Sequence, residues 1–167
     1  YVTGEESLEQ VRLRAERLGE IPDSLLVLSE TSVERLAEPW REVSPALVLV
    51  DSIQTMRTEA VVSAPGSVAQ VRESAALLAA TAKAHGTVLV LVGHVTKEGA
   101  IAGPRVLEHL VDVVLSLEGE PGHDLRILRA AKNRFGTVSE MALFSMTGTG
   151  LEPVSNPSAW MRAASAQ

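Results

Sequence analysis

Two short, almost wholly apolar segments constrain the fold more than any other feature of the 167-residue sequence. Residues 46–50 lie between Pro45 and Asp51, and residues 87–92 end before Gly93. Apolar runs of this length without alternation are typical of strands buried on both faces, as in a parallel sheet. They are far shorter than the roughly 20 apolar residues of a membrane-spanning helix. We therefore expect an α/β protein and no membrane partner.

Helical patterns lie between the predicted strands. The strongest begins at Ser67, places apolar residues from Val68 to Ala82 on one stripe, and is closed by Gly86. The predicted helices are 8–18, 67–85 and, between them, a segment that is capped by residues 29–31, places Val33, Leu36 and Ala37 inward, and ends at Pro39. The further predicted strands are 1–4 and 25–28. Alternating strands and helices predict a mostly parallel sheet covered by helices.

The last third of the chain has a different pattern. Residues 110–117, 125–131 and 141–146 are short, partly alternating runs separated by Gly, Pro and Asn, and they predict antiparallel hairpins added to the sheet. Residues 1–153 are therefore predicted to form one core, with residues 154–167 as a linker or tail.

The composition excludes several functional classes. Lys and Arg number 15 against 21 Asp and Glu, so the net charge is −6 and a generally basic nucleic-acid surface is absent. Aromatic residues make up 3% of the chain, which leaves no stacking platform for single strands. Without cysteine, neither thiolate zinc sites nor a catalytic thiol can form.

Acidic residues follow two predicted strands, at the edge where parallel sheets bind ligands. Asp51 comes directly after the first apolar strand and can hold Mg²⁺, while Glu5 and Glu6 follow the first strand end and can activate water. His94 follows the next strand and can contact a phosphate or orient a water. The alternatives are a turn cap at Asp51, glutamates that favour a helix amino end, and a structural histidine.

Two cation-bearing segments can meet phosphates. Lys132 and Arg134 lie on a turn between hairpin strands, where a guanidinium can reach a phosphate bound to another subunit. The alternative is a solvated turn in which Gly136 supplies a positive φ. Lys97 and Arg105 lie in a polar loop that can contact DNA phosphates or serve as a long surface connection.

The phosphate-binding signature GxxxxGK[ST] of P-loop enzymes does not occur in the sequence. Residues 1–4 have the pattern of a strand end, and we therefore expect the chain to be a fragment.

The sequence contains four motifs in order: YVTGEES at 1–7, LVDSIQT at 49–55, GHVTKEG through AGPRVLEH at 93–109, and KNRFG at 132–136. Together they resemble the RecA-like ATPase core of the bacterial RadA/Sms family of DNA repair proteins, and the resemblance extends from residue 1 to about residue 157. The expected fold is a RecA-like P-loop NTPase core that lacks its amino-terminal Walker A portion.

The resemblance implies an ATP- and Mg²⁺-dependent, helicase-like motor. Such a motor forms a hexameric ring on single-stranded or branched DNA, promotes branch migration in homologous recombination with a recombinase, and acts in the bacterial cytoplasm. By this similarity Asp51 is the Walker B carboxylate that holds Mg²⁺. One of Glu5 and Glu6 activates water, and His94 senses the γ-phosphate.

The resemblance also assigns roles to the cations. Lys132 and Arg134 would contact the nucleotide of the neighbouring subunit as fingers, and Lys97 and Arg105 would lie in or near the DNA-contacting loop. Members of the family also carry a four-cysteine zinc module, a Walker A loop and a Lon-protease-like domain, none of which this sequence contains. We therefore expect the isolated chain neither to bind ATP tightly nor to hydrolyse it. The alternative function is a non-hydrolysing RecA-like interaction or assembly module.

Overall fold

The computed structural model describes residues 1–94, 106–119 and 124–155. The chain divides into two compact units, one with residues 1–16 and 20–111, the other with residues 17–19 and the chain from residue 112 onward. One unit contains a parallel sheet with helices, and the other contains an antiparallel sheet, so the predicted mixed α/β class is confirmed. The predicted boundary between a core and a tail after residue 153 stays a prediction, since residues 156–167 lie outside the described part.

The first unit is built on a four-stranded parallel sheet. Its elements in chain order are β1 (Val2–Thr3), α1 (Leu8–Arg17), β2 (Leu28–Ser29), α2 (Ala37–Val43), β3 (Leu47–Asp51), α3 (Val68–His85) and β4 (Val88–Val92). Single 3-10 turns occupy Glu34–Leu36 and Ile53–Thr55. The strand order is β2-β1-β3-β4, which brings β1 beside β3 although more than 40 residues separate them. None of the helices in the described part is long and apolar enough to cross a membrane.

Helix α3 supplies most of the helical side of the core. Ser67 caps it by accepting a hydrogen bond from the Gln70 amide, and Gly86 ends it with a φ of 65°. Its buried apolar residues are Val71, Ala75, Leu78 and Ala82, which join the core formed by β3 and the turn after it. Val68 is 51% exposed, so the predicted apolar stripe begins one turn later.

The region between β2 and β3 differs from its prediction. Pro39 does not end a helix; it lies in the first turn of α2, where the missing amide has no intrahelical acceptor to lose. Val33 and Leu36 are buried as predicted, but Ala37 is exposed, and Trp40 joins the core from the same helix. The predicted strand at residues 25–28 is reduced to β2, which pairs with the two residues of β1, and Leu25 and Leu26 are exposed.

The second unit is a four-stranded antiparallel sheet. It contains β5 (Val113–Gly119), β6 (Leu125–Asn133), β7 (Met141–Thr147) and β8 (Gly150–Pro153), each paired with its neighbour in sequence. The predicted hairpins therefore exist, but in the described residues they form their own sheet instead of extending the parallel one. Because each strand pairs with its neighbour in sequence, the hairpins need no edge of another sheet.

The carboxylate of Glu34 links two segments of the first unit through hydrogen bonds. Glu34 accepts hydrogen bonds from the Thr58 hydroxyl at 2.5 Å, the Ser32 hydroxyl at 2.8 Å and the Glu59 amide at 3.0 Å. Burial opposes ionisation, but these donors outweigh it and lower the pKa of Glu34 to about 2. The carboxylate therefore stabilises the fold above its ordinary pKa, and this contribution is lost as the pH falls toward 2.

We expect E34Q to lower the free energy of unfolding at pH 7 by about 1 kcal/mol, a modest figure because the side chain is largely solvated. The difference from wild type should shrink progressively between pH 4.5 and about 2, as read from urea denaturation at each pH. The control E38Q removes a charge from an exposed side chain of α2 and should change stability by less than about 0.5 kcal/mol. A pH-independent loss in E34Q would contradict the prediction.

Candidate functional site

The carboxyl ends of β1, β3 and β4 meet at one edge of the parallel sheet. The register pairs Thr3 with Asp51 and Asp51 with Val92, so these three strand ends lie in a row. An open cavity of about 240 Å³ lies at this edge, and it is lined by Thr3, Glu5, Glu6, Arg14, Asp51 and His94. The structure therefore brings together all four residues that the sequence predicted at the strand ends.

Glu5 contacts two residues from the neighbouring strand ends. Its Oε1 accepts a 2.5 Å hydrogen bond from the hydroxyl of Ser52, whose side chain is fully buried. The same oxygen is 3.5 Å from Nε2 of His94. Among the described residues, Oε2 of Glu5 receives no hydrogen bond. One oxygen of this carboxylate is thus held by the protein and the other remains available at the cavity.

Glu6 has a different environment although it is adjacent in sequence. Its Oε1 lies 2.6 Å from a guanidinium nitrogen of Arg14 on α1, and its amide donates to the Thr3 hydroxyl at 3.0 Å. The Glu6 carboxylate is thus bound by a cation, whereas the Glu5 carboxylate is bound by a hydroxyl. The geometry therefore separates the two glutamates, which the sequence pattern left equivalent.

Asp51 is held from the side of β1. The Tyr1 hydroxyl donates a 2.5 Å hydrogen bond to Oδ2 of Asp51, and the Gly4 amide donates to the Asp51 carbonyl at 2.9 Å. Burial, followed by the bond to Asp51, raises the pKa of the Tyr1 phenol above its ordinary value. The phenol consequently stays a hydrogen-bond donor throughout the neutral range. The peptide bond between Asp51 and Ser52 is cis.

The oxygen-rich donor set fits Mg²⁺ better than a softer metal. Three carboxylates and one imidazole line the cavity, and carboxylate oxygens are ligands that Mg²⁺ prefers. Across the described residues, no group of three or more His, Cys, Asp or Glu is close enough to hold a metal by itself. Mg²⁺ characteristically takes one or two carboxylates, retains waters and completes its shell with substrate phosphates. The predicted metal role of Asp51 is compatible with this arrangement and stays a prediction.

The cation-bearing turn belongs to the second unit. Lys132 lies within β6 and Arg134 in the turn after it, where an Arg134 guanidinium nitrogen is 2.5 Å from Oδ1 of Asp112. Asn133 shapes the turn, since its Oδ1 accepts from the Phe135 amide and its Nδ2 donates to the Thr137 carbonyl. The Arg134 side chain is 60% exposed, so the ion pair is open to solvent.

Gly136 does not have the positive φ that the solvated-turn alternative required. Space is the constraint instead, because a Cβ at this position would lie 3.1 Å from Nδ2 of Asn133. Lys97 and Arg105, the predicted DNA-contacting cations, lie outside the described residues. The finger role of Lys132 and Arg134 stays a prediction.

The sequence pattern did not identify three residues that shape the cavity. Arg14 on α1 lines the cavity, Tyr1 just before β1 donates to Asp51, and the buried Ser52 donates to Glu5. A partial signal existed for Ser52, because it follows Asp51 at a strand end. Its partner depends on the pairing of β1 with β3, which no local pattern encodes.

Comparison with known proteins gives a consistent relationship. No protein-family model matches the chain. The chain is 60% identical to the DNA repair protein RadA of Pseudomonas aeruginosa over 159 residues, 56% identical to that of Bacillus subtilis over 158, and 55% identical to that of Escherichia coli over 159. Each match covers 95% of this chain and 34–35% of the relative, so the chain spans about a third of the length of the relatives it matches. By this similarity the chain belongs to the RadA family.

Proposed function

We propose that the chain forms the carboxylate-bearing part of an ATP-dependent DNA repair motor that acts in the bacterial cytoplasm. The observation that carries the proposal is the convergence of Glu5, Asp51 and His94 at adjacent ends of three parallel strands. The relatives at 54–60% identity are DNA repair proteins by name, which supports the same role for this chain.

In the proposed reaction, Glu5 is the proton acceptor. A water oxygen forms a bond to the terminal phosphorus of ATP while the bond from that phosphorus to the bridging oxygen of ADP breaks. The water proton passes to Glu5, whose Oε2 has no hydrogen-bond donor in the described part of the chain. Glu6 is unsuited to this role because it is paired with Arg14.

Asp51 and His94 would interact with the Mg²⁺ ion and the phosphates of ATP. Asp51 would hold Mg²⁺ directly or through water, and the cation supplies charge neutralisation for the phosphates when it is bound. Nε2 of His94 lies 3.5 Å from Oε1 of Glu5, where an imidazole can meet a terminal phosphate oxygen. The backbone cradle for the other phosphates is not encoded in these residues.

The second unit contributes the proposed contact between subunits. Arg134 is exposed and held by Asp112, so its guanidinium is presented at a turn that Asn133 stabilises. In a homo-oligomeric ring, Lys132 and Arg134 would complete the neighbouring subunit's nucleotide site. Contacts to single-stranded or branched DNA would involve Lys97 and Arg105. With a net charge of −6, DNA affinity would arise from a few cations repeated around the ring.

The proposal is tested by ATP turnover of the full-length protein that carries this chain, with and without single-stranded DNA. We expect Mg²⁺-dependent hydrolysis in the wild type and a decrease of about 10²-fold in kcat for D51N, the scale of one lost electrostatic group in a site. D51N should also require more Mg²⁺ for half-maximal activity. The matched control D23N, at an exposed position, should behave as wild type.

Two results would contradict the proposal. Absence of ATP hydrolysis by the wild-type protein would favour the non-hydrolysing assembly module instead. Undiminished hydrolysis by D51N at every Mg²⁺ concentration would remove Asp51 from the site.

A further inference from the structure

The turn that follows Asp51 contacts both neighbouring strand ends through its side chains. Ser52 donates to Oε1 of Glu5 at 2.5 Å, and Nε2 of Gln54 donates to the His94 carbonyl at 3.0 Å. The proposed function uses only Asp51 from this segment. The contacts of Ser52 and Gln54 with Glu5 and His94 are additional to the role of Asp51.

Ser52 restricts a side chain that is otherwise mobile. The Glu5 side chain is 43% exposed, and an exposed glutamate normally samples several rotamers. Ser52 is completely buried, so its hydroxyl is a fixed donor, and the short bond goes to a charged acceptor. The hydroxyl thus selects the conformation in which Oε1 faces the protein.

The backbone at Gly4, directly before Glu5, lies close to the side chain of Thr55. A Cβ on Gly4 would lie 1.9 Å from Oγ1 of Thr55 and 2.8 Å from its Cβ, distances at which no side chain fits. Thr55 cannot easily move away, because its hydroxyl also donates to the Ser52 carbonyl at 2.8 Å. The chain before Glu5 therefore packs directly against the turn that contains Ser52.

Gln54 donates a hydrogen bond to the backbone just after the end of β4. Because a carbonyl accepts but cannot donate, the bond to His94 fixes the orientation of the Gln54 amide. Oε1 of Gln54 is then buried, and it has no hydrogen-bond partner among the described residues.

We propose that Ser52 and Gln54 are positioning residues, which hold Glu5 and His94 at fixed distances from Asp51 for the attack of water on the terminal phosphate. The inference rests on the proposed function. Ser52 acts through the Glu5 carboxylate, and Gln54 acts through the backbone of His94. The turn thereby sets the spacing of three groups that come from three separate strands.

The experiment compares S52A and Q54A with wild type in the full-length protein, by ATP turnover and by nucleotide binding. We expect kcat to decrease by about 10–100-fold in S52A and about 10-fold in Q54A, the scale of a displaced catalytic group. The Kd for ATP should change less than about 2-fold, while binding of ADP with aluminium fluoride, which imitates the transition state, should weaken in parallel with kcat. If Ser52 and Gln54 served folding alone, the variants would have a lower midpoint of thermal unfolding. Their affinities for ATP and for ADP with aluminium fluoride would then change by the same factor.

A double-mutant cycle supplies the second measurement. If Gln54 acts through His94, Q54A should cause little further loss in the H94A background. The control S24A changes an exposed residue and should leave turnover unchanged. If S52A does not reach the folded state, the Q54A and H94A cycle decides alone.

The outcomes separate this inference from the proposed function. If wild type hydrolyses ATP and E5Q does not, but S52A and Q54A turn over like wild type, the positioning role is wrong and the proposed function stands. Additive losses in Q54A and H94A would likewise overturn the positioning role of Gln54. If wild type itself is inactive, both proposals fail together.

Discussion

Replacement of Glu5 by glutamine is expected to lower kcat for ATP hydrolysis by about 10³-fold, within the range for a lost general base. The amide is nearly isosteric, and its oxygen can still accept the Ser52 hydrogen bond that the carboxylate accepts. Folding and ATP affinity should therefore be preserved while the proton acceptor is lost. Steady-state turnover of the full-length protein, together with ATP binding at equilibrium, measures the two effects separately.

The matched variant is E6Q, which makes the same change one residue later. Glu6 is ion-paired with Arg14, whose side chain is 54% exposed, and such a pair contributes about 0–1 kcal/mol. We expect kcat in E6Q to decrease less than about 5-fold. A deep loss in E6Q with normal turnover in E5Q would reverse the assignment, and equal losses in both would show that the pair acts as one unit.

Local patterns in the sequence were sufficient for the central elements. The continuous apolar runs predicted β3 and β4, and the cap at Ser67 with the glycine at residue 86 predicted both ends of α3. Asp51 and His94 were found as site candidates because parallel strands place their carboxyl ends at one edge. These features depend on properties of neighbouring residues, which a sequence displays directly.

Pairing between distant segments was not predictable in the same way. The register that sets Thr3 opposite Asp51 places Glu5 beside Ser52 and leaves Glu6 to Arg14, and nothing near Glu5 in sequence encodes it. The separate antiparallel sheet has the same cause, because alternating runs predict hairpins without stating which edge they join. Chemistry at a strand end was therefore predictable, whereas the choice between adjacent glutamates required the fold.

Replacement of Arg134 by alanine is expected to lower kcat by about 10³-fold, the lower end of the range for an arginine finger, with little change in ATP affinity. The effect should be large because Arg134 would contact developing charge on a phosphate, whereas its pair with Asp112 in this structure is solvent-exposed and weak. Turnover and ATP binding of the full-length protein measure both quantities. The control R129A changes an exposed arginine of β6 and should retain wild-type turnover.

Mixing R134A with E5Q tests whether the finger acts between subunits. Each variant alone lacks one half of every site, but an R134A subunit keeps Glu5 and an E5Q subunit keeps Arg134. In randomly mixed rings at equal concentrations, about one quarter of the sites should contain both intact halves, and turnover should recover to about that fraction. If the finger instead acts within its own subunit, every site stays defective and the mixture shows only the residual activity of its parents. Recovery therefore requires both a ring and a finger supplied by the neighbour.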